Sequence, residues 1–211
     1  MKSANTAAQR RSLIDWGVAQ LTLQGQTESG DSYLVTNFPS GTLVAVVDGL
    51  GHGGEAAAAA KAAIDTVGEH PDEPVIPLLQ RCHEGLRATR GVTMSLASFN
   101  ATYNIMTWLG VGNVEGVVLR ADKQAPTPQE SIMLFPGVVG HHLPPLRAIA
   151  SPINPGDLLI LYTDGIRRDF LSEPPIPGHS PQRVADRICA KYSRGTDDAL
   201  ALVARYVGGA G

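Results

Sequence analysis

Polar and apolar positions alternate between residues 15 and 24, where Trp16, Val18 and Leu23 mark a strand face. A turn-rich stretch at 26–31 follows, and residues 33–36 begin a second strand. Residues 42–47 are a short unbroken apolar run, the pattern of a strand covered on both faces. Residues 55–67 are nearly all helix formers, including the alanine run 56–60, with Glu55 suited to the positive end of the helix dipole. Leu78, Cys82 and Leu86 recur at helical spacing and predict a second helix over 78–89. Beyond Gly91 the pattern changes to consecutive strands at 93–99, 103–109, 114–120 and 131–135, an antiparallel meander. Residues 157–163 predict another apolar strand after the turn Asn154-Pro155-Gly156, and 183–192 an amphipathic helix. Between them the proline-rich stretch 173–181 reads as a loop or flap. In the last segment, 199–207, the alanines favour helix, while Leu200, Leu202, Ala204 and Tyr206 would line one face of a strand; strand is the expectation. The sum is an α+β fold.

Composition narrows the function classes. The 211 residues are 43% hydrophobic, ample for a core, and are expected to form one domain over 1–211 with the first ten residues disordered. Seventeen basic against twenty acidic residues give a net charge of −3, which argues against a general nucleic-acid binder. No apolar window reaches the roughly 18 residues of a membrane span, and no apolar h-region follows Arg10 and Arg11, so the expected location is cytoplasmic. Cys82 and Cys189 form no C-x-x-C pair and read as packing residues. A C-x5-R loop, a G-x4-G-K-[ST] loop and a G-x-S-x-G elbow are all absent.

The chemistry concentrates at strand ends. Asp48-Gly49 closes one apolar run, Asp164-Gly165 closes another, Asp197-Asp198 precedes the last strand, and Asp31 opens the second. If those strands are neighbours, several carboxylates converge on one volume and repel, and hard divalent cations with oxygen ligands relieve this. Two such ions roughly 3.5–4 Å apart acidify a water and clamp a phosphoryl group in line. Glycine after each aspartate would let the backbone turn and leave its carbonyl free. Any one Asp-Gly pair alone is better read as a turn; two such pairs after apolar strands, with a double aspartate, bring the metal reading level with it. Gly49, Gly51 and Gly54 also satisfy G-x-G-x-x-G between a strand and a helix, a dinucleotide fingerprint. Against it stand Asp48 beside the first glycine and a downstream meander in place of βαβ units. The adjacent His141 and His142 would point to opposite faces and are poor candidates for a shared metal site, while His52 sits in the glycine loop.

Val46-Val47-Asp48-Gly49-Leu50-Gly51-His52-Gly53 resembles the D-G-x-G-H-G motif of the SpoIIE-type bacterial branch of metal-dependent protein phosphatases, within the type 2C superfamily. Gly156-Asp157-Leu158-Leu159-Ile160-Leu161-Tyr162-Thr163-Asp164-Gly165-Ile166 resembles that family's second aspartate motif. Asp197-Asp198-Ala199 resembles its terminal D-D motif, and Ser29-Gly30-Asp31 its first. All four stand in the family's order and cover nearly the whole chain. Residues 110–116, with Val139-Gly140 and Leu143-Pro144, are similar to the small RsbX-like phosphatases that reset stressosome proteins.

The resemblance implies a four-layer αββα sandwich with the metal site at one edge between the sheets. It implies a protein-serine/threonine phosphatase using two Mn²⁺ or Mg²⁺ ions, with Asp48 and Asp164 catalytic. Asp48 would bridge the metals, the Gly49 carbonyl would be a ligand, and Asp164 and Asp197 would hold the second ion. Asp31 would be a neighbouring ligand or stand just behind; His52, Gly165 and Asp198 would be phosphate contacts or supports. The implied partner is a phosphorylated STAS-domain regulator of bacterial stress signalling. The arginine and the histidine of eukaryotic relatives have no matching positions here, so phosphate recognition would rest on metal and water or on a partner protein. The alternatives are a non-catalytic regulator of the same fold and a dinucleotide-binding protein.

Overall fold

The computed structural model describes residues 12–173 and 178–209. The expected disordered lead over the first ten residues, and 174–177 of the proline-rich stretch, lie outside the described residues. The elements run β1 (Ile14–Leu21), β2 (Asp31–Phe38), β3 (Gly41–Gly49), α1 (Gly54–Glu69), α2 (Val75–Gly85), β4 (Val92–Asn100), β5 (Ile105–Val111) and β6 (Glu115–Leu119). They continue with β7 (Gln129–Ser131), β8 (Leu134–Phe135), β9 (Ile149–Pro152), β10 (Leu158–Tyr162), a 3₁₀ turn at Arg168–Ser172, α3 (Pro181–Tyr192) and β11 (Ala199–Tyr206). One sheet has the order β1-β11-β10-β6-β7 and the other β2-β3-β4-β5-β8, with β9 also paired to β5.

Three apolar layers hold four structural layers together. Val44, Val46, Phe99, Trp108, Leu159, Leu161, Leu200 and Leu202 meet between the sheets. Leu43, Ala45 and Val47 turn the opposite way, against Ala59, Ala63, Val67, Leu78 and Cys82 of α1 and α2. Ile160, Ala201 and Val203 face Val184, Ile188 and Cys189 of α3. The architecture is the expected αββα sandwich. Strand β3 is apolar throughout because both of its faces are covered. Both cysteines are buried packing residues, as expected.

Packing also decides β11. A helix-favouring residue gains at most about 0.7 kcal/mol over a poor one. Fully burying a leucine contributes about 1.5–3 kcal/mol, and Leu200, Leu202 and Tyr206 are all buried in one layer. The alanines at 199 and 201 lie on the other face, where their small size lets α3 approach.

Four expectations need correction. The strands after Gly91 are not one meander: β4 and β5 pair in one sheet, and the chain then crosses to the other, where β6 joins β10. The expected strand 131–135 is two strands in different sheets, β7 antiparallel to β6 and β8 parallel to β5. Strand β9 and the 3₁₀ turn were not foreseen. Two helices begin earlier than expected, each taking a proline into its first turn, where the helical amides need no intrahelical acceptor. Pro77 therefore sits in the first turn of α2, which ends at Gly85 short of the expected 89. Pro181 opens α3 behind Ser180, whose side chain accepts from the Arg183 amide.

At the start of α3 the helix lies so close to β1 that a Cβ on Gly17 would stand 2.2 Å from Gln182 Cα. The Gln182 amide accepts from Val18 N at 3.1 Å and donates to Val18 O at 2.7 Å. A side chain thus occupies both outward backbone groups of an edge strand, as a further strand would.

Candidate active site: a carboxylate cleft at one end of both sheets

The β2–β3 register sets Asp31 opposite Asp48. Asp164 follows β10, and Asp197 and Asp198 precede β11, at the same end of the other sheet. Cross-sheet hydrogen bonds tie these ends together. Thr163 Oγ1 donates to Asp31 Oδ2 at 2.7 Å and accepts from Leu200 N at 2.9 Å. Asp198 accepts from Leu23 N and from Gly30 N, each at 2.7 Å.

The glycines after the aspartates serve contact, not the sharp turn expected of them. Neither Gly49 nor Gly165 has a positive φ. A Cβ on Gly49 would stand 2.2 Å from the Ala56 carbonyl oxygen, and one on Gly165 would stand 1.9 Å from that of Asp198. Only glycine lets β3 pass under the first turn of α1, and the β10 end lie on the β11 start.

Asp48, Asp164 and Asp197 line one cleft of about 320 Å³ with His52, Asn113 and the Leu50–Gly51 backbone. The remaining expected residues stand outside it. Asp31 is buried and turned to Thr163. Asp198 has both oxygens engaged by backbone amides, and Gly165 packs on its carbonyl. Gly49 continues the β2–β3 ladder, donating to Gly30 O at 3.0 Å.

Asn113, to which no role was given, is the residue sequence reasoning missed. Its Nδ2 donates to Asp164 Oδ2 at 2.6 Å, while its Oδ1 accepts from the Thr93 hydroxyl. It lies in the glycine-rich stretch 110–116 that carried part of the family resemblance, the one signal that could have found it.

The cleft carries unbalanced negative charge. Burial, then the charges of Asp164 and Asp197, push the Asp48 carboxyl up to about 7, against a weaker downward pull from the Asn113 amide. Burial and Asp48 push Asp31 up to about 8. Asp197 is also raised, by burial first, with His52 near enough to oppose the rise. Among the described residues no lysine, arginine or histidine forms an ion pair with any of the five aspartates. Nor do three His, Cys, Asp or Glu side chains among them close a ready-made cage for a metal. An all-oxygen donor set with surplus negative charge fits a hard divalent ion, and Mg²⁺ in particular keeps several waters rather than demanding a complete protein cage.

The dinucleotide reading of Gly49, Gly51 and Gly54 does not survive this geometry. Strand β3 leads through α1 and α2 to β4, its antiparallel neighbour, so no βαβ unit exists there.

Comparison with known proteins agrees with this geometry. The family model for Stage II sporulation protein E (SpoIIE) matches residues 39–207. The phosphoserine phosphatase RsbX of Bacillus subtilis (strain 168) is 24% identical over 181 residues, covering 86% of this chain and 89% of the relative. A solved structure described as "The bacterial stressosome: a modular system that has been adapted to control secondary messenger signaling" is 28% identical. It superposes with a TM-score of 0.82 over 91% of this chain and 99% of its own. The crystal structure of RsbX in complex with magnesium is 22% identical, with a TM-score of 0.81 over 91% of this chain and 94% of its own.

Proposed function

The chain belongs to the Stage II sporulation protein E family, and on that premise we propose that it is a Mn²⁺- or Mg²⁺-dependent phosphatase of phosphoserine or phosphothreonine in proteins. One observation carries the reading: Asp48, Asp164 and Asp197 line a single cleft, and no basic side chain among the described residues forms an ion pair with their carboxylates. Asp48 is half-buried beside two exposed carboxylates, and a structural site would meet its charge from within the chain.

When bound, divalent ions acidify a water and offset the charge of phosphoryl oxygens. The chain's own part is to hold the donors. Asp48 and Asp164 would be the catalytic carboxylates; with Asp197 they would hold the ions in the cleft they line, and the Gly49 carbonyl would be a further ligand. Asn113 fixes the Asp164 carboxylate by its amide, and Asp31 supports the site from behind, oriented by the Thr163 hydroxyl. Asp198 and Gly165 secure the start of β11 against the end of β10. His52 lines the cleft where a phosphate oxygen would lie.

The substrate is a phosphorylated STAS-domain regulator of bacterial stress signalling, and the protein acts in the cytoplasm as one phosphatase domain over 1–211. Similarity to RsbX and to the stressosome structure supports the substrate. No helix among the described residues is long and apolar enough to cross a membrane. Hydrolysis of p-nitrophenyl phosphate with Mn²⁺, with Mg²⁺ and with EDTA, beside Asp164→Asn, tests the chemistry. Turnover that needs metal and disappears in the variant is expected; equal rates with and without EDTA sink the proposal. A phosphorylated STAS-domain protein should then lose its phosphate faster than an unrelated phosphoprotein.

A further inference from the structure

A second and larger hollow, of about 820 Å³, adjoins the carboxylate cleft and shares Leu50 and Gly51 with it. Its floor is the start of α1, where Ala58 and Ala59 fill little space. Arg90 and His141 also line it, and His141 lies so near the chain that a Cβ on Gly91 would stand 2.7 Å from its Cδ2. The Arg90 guanidinium rests on the loop that leads into the cleft: a Cβ on Gly51 would stand 2.8 Å from Arg90 Nη1.

Arg90 is paired with Glu55, and the two side chains are 51% and 72% exposed. An exposed pair of this kind contributes little to stability. Arg90 can therefore exchange Glu55 for an incoming anion at small cost, and its planar fork suits a carboxylate or phosphate.

We propose that this hollow receives the polypeptide flanking the phosphorylated residue, and that Arg90 is the anchor for an acidic side chain in that flank. The proposal rests on the phosphatase reading above and adds a substrate class to it: phosphoproteins with an acidic residue close to the phosphorylated position. The phosphoryl group would enter the carboxylate cleft while the flank crosses the Leu50–Gly51 backbone into the hollow. Arg90 touches the substrate outside the reacting atoms, so it sets specificity and not chemistry.

The test compares two phosphoserine peptides that differ only in carrying glutamates or glutamines beside the phosphoserine, with Mn²⁺ present. In the wild type, kcat/KM should favour the acidic peptide by about three- to fivefold, the upper range of an exposed ion pair. Arg90→Gln should bring that ratio near one, mainly through KM, with the melting temperature unchanged. Glu55→Gln, which frees Arg90 from its competitor, should raise the ratio. Equal kcat/KM for the two peptides in the wild type overturns the proposal, as does an acidic preference kept in Arg90→Gln or lost in Glu55→Gln. Metal-dependent turnover of p-nitrophenyl phosphate by the wild type reports the phosphatase reading separately; its absence together with inert peptides overturns both.

Discussion

At the two ends of β10 stand Asp157 and Asp164, each beside a glycine, and the chain treats them in opposite ways. Asp157 is 1% exposed, yet its charge is met. It accepts from Ala121 N at 2.8 Å, from Asn154 N at 3.0 Å and from Arg120 Nη1 at 3.0 Å. Arg120 in turn holds Glu130, Ser151 and the Pro152 carbonyl. Asp164 meets a neutral amide at 2.6 Å and shares its cleft with Asp48 and Asp197. A carboxylate neutralised inside the chain is structural. Asp164 is exposed and left among its own kind, so its carboxylate is open to a cation from outside, as a catalytic metal site requires.

The largest expected effect breaks the comparison from the cleft side. Asp48→Asn should lower phosphatase turnover on the order of 10³-fold, because it removes the proposed bridging ligand. Without metal at pH 8 the same variant should melt above the wild type, since it relieves the repulsion at the cleft. A variant that lost activity by misfolding would melt below it, and calorimetry distinguishes the two. Asp157→Asn should do the reverse. It strips the largely covered Arg120 guanidinium of its buried carboxylate partner and should cost about 3 kcal/mol in denaturant titrations, with turnover per folded molecule unchanged. Equal stability losses in the two variants would erase the distinction.

Acidity sharpens the contrast next. Asp31 and Asp48 are raised from 3.8 to about 8 and about 7 in the metal-free fold. Between pH 4 and 8 the folded state therefore keeps protons that the unfolded chain has released. The stability they confer is complete below the unfolded value and is lost as pH rises through the folded values. Metal-free protein should thus melt lower at pH 8 than at pH 5. Mn²⁺ at about 100 times its dissociation constant should restore about 2.7 kcal/mol. Melts that rise with pH in EDTA would contradict this charge balance.

Legibility in the sequence follows the same division. Strand β3 was readable because a strand covered on both faces leaves an unbroken apolar run, and the aspartates at strand ends followed from it. The move from one sheet to the other between β5 and β6 was not, because a strand keeps its alternation whichever sheet it joins. Pro181 was read with the proline-rich loop, although a first helical turn tolerates proline. Within Asp197-Asp198, composition could not say which carboxylate faces the cleft. That is decided by the Leu23 and Gly30 amides, which arrive from a distant part of the chain and take up Asp198. Asp157 and Asp164 were similarly alike until Arg120 could be placed beside one of them. Long-range partners separate structural from functional aspartates, and one strand's pattern does not contain them.

Asn113 offers the smallest and most selective probe of this division. Its position toward Asp164 corresponds to that of Arg120 toward Asp157, but it brings direction without charge. The Thr93 hydroxyl donates to Oδ1, which leaves Nδ2 to face Asp164, so the amide has one sensible orientation. A cation in its place would satisfy Asp164 and remove the need for metal; a neutral donor holds the carboxylate still and leaves its charge available. Asn113→Ala should therefore change the melting temperature of metal-free protein little, while weakening Mn²⁺ binding in calorimetric titration by about tenfold, as loss of a ligand's supporting hydrogen bond does elsewhere. An unchanged Mn²⁺ affinity would mean that Asp164 needs no such orientation. A large loss of metal-free stability would place Asn113 with Arg120, on the structural side.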